Sequence, residues 1–99
     1  MVVTIEDELH AESQGEYPSV EAAFRELIQR AQLPWDKAPN QCPCANWRTC
    51  GRRYEILVFD DSVSPWRPLL RLGILSVSGK GVEWSADFSD GRLSYRPDA

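Results

Sequence analysis

Residues 20–31, VEAAFRELIQRA, carry the one clear helical period in the chain, and they dictate what the rest must supply. Val20, Ala23, Phe24, Leu27, Ile28 and Ala31 follow the i, i+3, i+4, i+7, i+8, i+11 spacing that gathers an apolar stripe on one side of an α-helix. Ser19 stands where an N-cap belongs, and Pro34 stops the run because the residue before a proline is pushed out of helical geometry; the helix is therefore placed at residues 19–33. Glu21 with Arg25 and Glu26 with Arg30 are i,i+4 pairs in the favourable acid-first order, assigned to the outer side. A helix with a single apolar stripe needs an apolar surface to lie on.

The remaining segments read as strands. VVTIEDELHAE, residues 2–12, alternates: Val3, Ile5, Leu9 and Ala11 fall on one side, interrupted by Asp7, and Thr4, Glu6, Glu8, His10 and Glu12 fall on the other. That period of two predicts one strand with a wet face, followed by a turn at SQGEYP. Residues 54–60, beginning YEILVF, are apolar on both faces except at Glu55 and predict a central strand. Residues 69–78 and 81–85 predict two further strands joined by a hairpin at GKG, and Pro65 and Pro68 confine the residues between them to a bend or a sheet edge. Residues 86–99 are rich in Asp, Gly and Pro and predict a loosely held tail.

The expected fold is therefore α+β. It has two layers, one amphipathic helix packed on a four-stranded, mostly antiparallel sheet in the order β-α-β-β-β, within a single domain of 99 residues. One helix covers only part of such a sheet. The second apolar face of the central strand must then be hidden by a loop, a second copy or a partner.

Residues 34–53 form a long stretch without periodicity that contains Pro34, Pro39 and Pro43, all three cysteines and two of the four tryptophans. Loops beyond about 12–15 residues are uncommon in compact domains and are usually functional or disordered. Trp35 and Trp47 are costly to leave in water, which favours an ordered Ω-like loop packed by its own aromatics. Within it, Cys42, Cys44 and Cys50, with His10 as a fourth ligand, offer a zinc set, but the spacing is not the C-x2-C knuckle that wraps zinc. Thiol redox chemistry favours C-x-x-C at a helix start, and CPC is one residue short of that. Both stand as alternatives to inert buried thiols.

Charge is distributed unevenly. The net charge is -4, yet residues 41–80 hold six basic and three acidic side chains, while residues 1–40 hold three and eight. So acidic a chain argues against non-specific nucleic-acid binding and leaves room for local recognition in the basic middle. Arg48, Arg52 and Arg53, flanked by Trp47 and Tyr54, suit capture of phosphate or carboxylate, base stacking, or a protein partner's surface; the competing expectation is that Arg52 and Arg53 pair internally with Asp60, Asp61 or the acidic first strand. The spacing of Glu6, Glu8 and Glu12 along one strand offers a further alternative, an acidic mimic of a nucleic-acid backbone.

No phosphate loop, nucleophile elbow or paired-histidine motif is present in the sequence, so a non-enzymatic reading leads and no cofactor is expected. No apolar run approaches the roughly 20 residues needed to cross a bilayer, and MVVTIEDELH is acidic where a secretory signal is basic, so the expected location is the cytoplasm without membrane contact. Tryptophan and arginine are the types enriched at interface hot spots. The sequence thus predicts a small interaction domain, an adaptor or inhibitor, that binds another protein or a second copy of itself. Its contact residues are Trp35, Trp47, Arg48, Arg52, Arg53, Trp66 and Arg67.

Overall fold

The computed structural model describes residues 1–41 and 51–85 in full, and residues 88–89 and 92–93 as backbone. The helix α1 (Val20–Ala31) forms where its stripe and cap predict: the Ser19 hydroxyl accepts the N–H of Ala22 at 3.1 Å. It ends two residues earlier than the sequence suggests. Gln32 and Leu33 instead form the closing turn, their N–H groups donating to the carbonyls of Gln29 and Arg30.

The sheet has five antiparallel strands rather than four. In chain order they are β1 (Val2–Asp7), β2 (Glu12–Tyr17), β3 (Gly51–Asp60), β4 (Arg67–Ser78) and β5 (Gly81–Trp84), and their spatial order is β2-β1-β3-β4-β5. A separate two-stranded ladder, β6 (Phe88–Ser89) with β7 (Arg92–Leu93), lies in the segment read as a tail.

The extra strand arises because residues 2–12 do not form one strand. The chain reverses between Glu8 and Ala11, where Ala11 takes φ 51°, and residues 12–17, expected as part strand and part turn, return as β2. The new ladder pairs Val3 with Tyr17 and Asp7 with Glu12. Midway, Gln14 and Gly15 together oppose the single Ile5, a bulge in which Gly15 adopts φ 108°, a conformation that costs a residue without Cβ little.

Strand β3 starts at Gly51, so residues 51–53 belong to the sheet and not to the loop. Gly51 pairs with Ser78, and a Cβ there would stand 2.3 Å from the carbonyl oxygen of Val77; only glycine permits this approach. Strand β4 likewise begins at Arg67, two residues early.

Alternation along the paired strands puts Val3, Ile5 and Asp7 on the same face as Arg52, Tyr54, Ile56 and Val58. Helix α1 packs across that face, burying Ala23, Phe24 and Leu27 against Ile5, Tyr54, Ile56, Ile74, Leu75 and Val77. Each fully buried aliphatic side chain contributes about 1.5–3 kcal/mol. Trp84 faces the same layer, its ring centroid 6.1 Å from that of Phe24. The other face carries Thr4, Glu6, Arg53, Glu55, Leu57 and Arg71, of which Thr4, Glu55 and Leu57 are buried. Among the described residues no helix is long and apolar enough to cross a membrane.

Candidate functional site

At the end of the sheet where β1 turns into β2, the interruption at Asp7 finds its explanation. Asp7 points inward and is fully buried. Its Oδ2 accepts from Arg52 Nη1 at 3.0 Å and meets His10 Nδ1 at 2.5 Å, and its Oδ1 accepts the N–H groups of Leu9 and Arg53, each at 3.1 Å. A carboxylate with these partners retains charge-assisted hydrogen bonds in place of water. Arg52 is buried in turn: Nη1 also reaches Glu12 Oε1 at 3.0 Å, and Nη2 donates to the Gln41 carbonyl at 2.8 Å. One guanidinium therefore ties β1, β2, β3 and the segment after the helix together.

A second buried contact joins helix to sheet. Asn40, 1% exposed, donates through Nδ2 to the carbonyls of Arg30 (2.8 Å) and Leu33 (3.2 Å) at the end of α1, and its Oδ1 accepts the Tyr54 hydroxyl at 2.9 Å. The Arg30 carbonyl already accepts the Leu33 N–H, and Asn40 adds a second donor there and reaches Leu33, so it acts as a side-chain cap supplied by the following loop. Burial pushes the Tyr54 phenol above its ordinary pKa, against the opposing pull of Arg30 and Arg52. Arg30, expected on the outer side of α1, is instead buried: it lies over the Tyr54 ring at 5.1 Å and pairs with Glu26 at 2.7 Å. Burial acts to lower the Arg30 pKa, but Glu26 and Tyr54 hold it above the usual value.

The opposite end of the sheet is apolar and open. Trp66, 46% exposed, stands beside Phe59 with centroids 5.9 Å apart; Val63 is exposed on the same β3–β4 connection and Leu69 at the start of β4. Arg67 pairs with Asp60 at 2.9 Å, and Arg71 with Glu55 at 3.2 Å. Hydrogen bonds from Ser62 hold Asp60 below its ordinary pKa, whereas burial pushes Glu55 up, opposed by Arg71 and reinforced by Glu8 and Glu6. Around the corner, at the start of α1, a recess of about 180 Å³ is lined by Val3, Pro18, Val20, Glu21 and Val58, with Met1 at its edge.

The predicted contact residues do not form one surface. Trp66 and Arg67 share the apolar end. Trp35 is half-buried and packs against the core, so its indole is largely spent on the chain itself. Arg52 is a correction: at 6% exposure its guanidinium is enclosed by Asp7, Glu12 and Gln41, because β3 begins early enough to turn position 52 under the helix layer. Arg53, one residue on, faces the other way, half-exposed and 3.9 Å from Glu8. Trp47, Arg48, Cys42, Cys44 and Cys50 lie outside the described residues.

His10 is a second correction. It is not a wet strand residue, because it sits in the β1–β2 turn with its Nδ1 against Asp7. Among the described residues no group of three or more His, Cys, Asp or Glu side chains is placed to hold a metal ion. The regular acidic stripe is also lost: Glu6 is on β1, Glu8 is in the turn, and Glu12 is on β2 against Arg52. Asp7 and Asn40, absent from the predicted contact set, hold the fold; their traces in the sequence are an inward carboxylate in an apolar alternation and an Asn shortly after a helix.

Among the described residues, these features define a small α+β fold with one helix layered on a five-stranded antiparallel sheet. No protein-family model, curated protein or solved structure matches the chain.

Proposed function

We propose that this is a non-enzymatic protein-interaction domain whose contact surface is the Trp66 end of the sheet. The supporting observation is that Val63, Trp66 and Leu69, close together in the chain where β3 passes into β4, are all exposed, with Trp66 beside Phe59. Large exposed apolar side chains that cluster, rather than scatter, mark places where water is displaced by a partner. The chemistry is that of an apolar protein surface, with Arg67 and Arg71 orienting it from the rim; rim charges act more on encounter and register than on affinity. Relative to the sequence expectation, Arg52 leaves the contact set and Val63, Phe59 and Leu69 enter it.

Site-directed photo-cross-linking tests this reading. A photoreactive aromatic residue placed at position 66 is expected to give a discrete covalent product in cells, and the same residue at Gln29, exposed on the outer side of α1, is not. Equal or absent products at the two positions would dispose of the reading.

A further inference from the structure

Strand β4 is covered on both edges over only part of its length. In an antiparallel ladder the backbone groups of successive residues point alternately to one neighbouring strand and the other. The Arg53 carbonyl accepts the N–H of Glu8 from the β1 side, so Tyr54, Ile56 and Val58 turn their backbone groups towards β4. Ile56 pairs with Leu72 and Val58 with Leu70, which leaves Arg71 and Gly73 directing N–H and C=O groups away from β3. On that side β5 pairs with β4 only over residues 75–78, and Ser85 adds one further bond, its N–H donating to the Ile74 carbonyl at 2.9 Å. Among the described residues no strand lies beside Arg71 and Gly73. Pro68, which has no N–H to offer, and the bulge at Leu69 close the stretch at its other end.

We infer that this edge takes an extended peptide segment as an added strand; this names the kind of partner for the interaction reading above and rests on it. Donors and acceptors side by side on a sheet edge are matched by the backbone of another extended chain. Side chains then decide which segment fits. A residue paired with Arg71 shares its outer face, where the guanidinium is 64% exposed and meets Glu55 through Nη1, so other donors remain for a second carboxylate. Arg67 and Arg71 are the charged residues of β4, and both favour an acidic segment. A residue paired with Gly73 has room, because even a Cβ at Gly73 would meet no atom within 4 Å. The residues between these point to the inner face beside Leu70 and Leu72, which are half-buried against the core and gain apolar cover. The matching segment therefore alternates, acidic on the outer face and apolar on the inner.

A blocked heptapeptide of alternating valine and glutamate is the probe, titrated into the isotopically labelled chain and followed through its amide NMR signals. The amides of Arg71 and Gly73 are expected to shift and to become protected from hydrogen exchange, with a Kd of roughly 0.1–1 mM. Methylating the glutamate nitrogens, which face β4, is expected to weaken binding by roughly tenfold or more, whereas methylating the valine nitrogens, which face away, leaves it within about twofold. Arg71→Gln weakens it by roughly threefold to tenfold, and circular dichroism checks that this exposed substitution keeps the fold. Amides of Arg71 and Gly73 already protected in the chain alone, shifts confined to other strands, or equal losses from the two methylation patterns overturn the inference. A chain that ignores the peptide while its position-66 cross-linker captures a polypeptide refutes the added strand and keeps the interaction reading; no response at β4 and no capture at position 66 removes both.

Discussion

Replacing Arg52 with methionine separates an internal tie from a contact residue. The substitution keeps the unbranched stem of the side chain and removes the charged guanidinium. Asp7, with no exposed surface, then keeps the N–H groups of Leu9 and Arg53 and its contact with His10, but loses its cationic partner at 3.0 Å. Glu12 is 39% exposed, so water replaces most of what it loses, while the Gln41 carbonyl also loses its donor. Removing one member of a buried pair costs about 3–5 kcal/mol, and the donors left on Asp7 place the expected value near the lower bound, about 3 kcal/mol. For a domain of this size that corresponds to a fall in Tm of at least about 12 °C. Urea titration followed by circular dichroism reads the change directly, with an unchanged slope showing that stability rather than compactness has moved. The control is Arg53→Met, one residue away and half-exposed, expected to stay within about 0.5 kcal/mol. Equal small losses for both variants would refute the assignment of Arg52 to the interior. Combining Arg52→Met with Asp7→Leu is expected to cost less than the sum of the two, by about 0.5–3 kcal/mol, because neither charge is left behind.

Further outcomes follow from other contacts. Asn40→Asp keeps the acceptor for Tyr54 but turns the group facing the Arg30 and Leu33 carbonyls from donor to acceptor, and is expected to lower stability by about 1–3 kcal/mol in chemical denaturation. Gly51→Ala places a methyl group against the Val77 carbonyl and destabilises the fold, whereas Gly73→Ala meets no atom within 4 Å and is expected to raise stability by about 0.4–1 kcal/mol; parallel thermal melts compare the two. Glu55 has its pKa raised in the folded state, so its favourable contribution is complete below the ordinary carboxyl range and is lost as pH rises through the raised value. Glu55→Gln is therefore expected to stabilise the protein at pH 7 and to give no gain near pH 3, measured by urea titration at the two pH values.

The helix was legible because its evidence is local. An N-cap at Ser19 and a stripe of period 3.6 are complete within a dozen neighbouring residues, and the structure departs from them only in the last turn. The GKG hairpin was legible for the same reason, with Ser78 pairing with Gly81 across it. The β1–β2 hairpin was not. Leu9 and Ala11 continue the alternation through a segment that in fact turns, and no period-two count distinguishes a strand from a strand that doubles back.

The sequence by itself determined the class of fold, since one amphipathic stripe beside several alternating segments has few ways to hide its apolar surface. Tertiary structure decided where the polar groups went. Asp7 is 45 positions away from Arg52 along the chain, and Asn40 closes a helix while holding a tyrosine of the central strand. Burial of a charge depends on whether a partner from elsewhere arrives within hydrogen-bonding distance, and that is a property of the assembled layers. The same assembly left Trp66 outside while it drew Trp35 and Trp84 inward, a choice among identical side chains that only their positions in the fold could make.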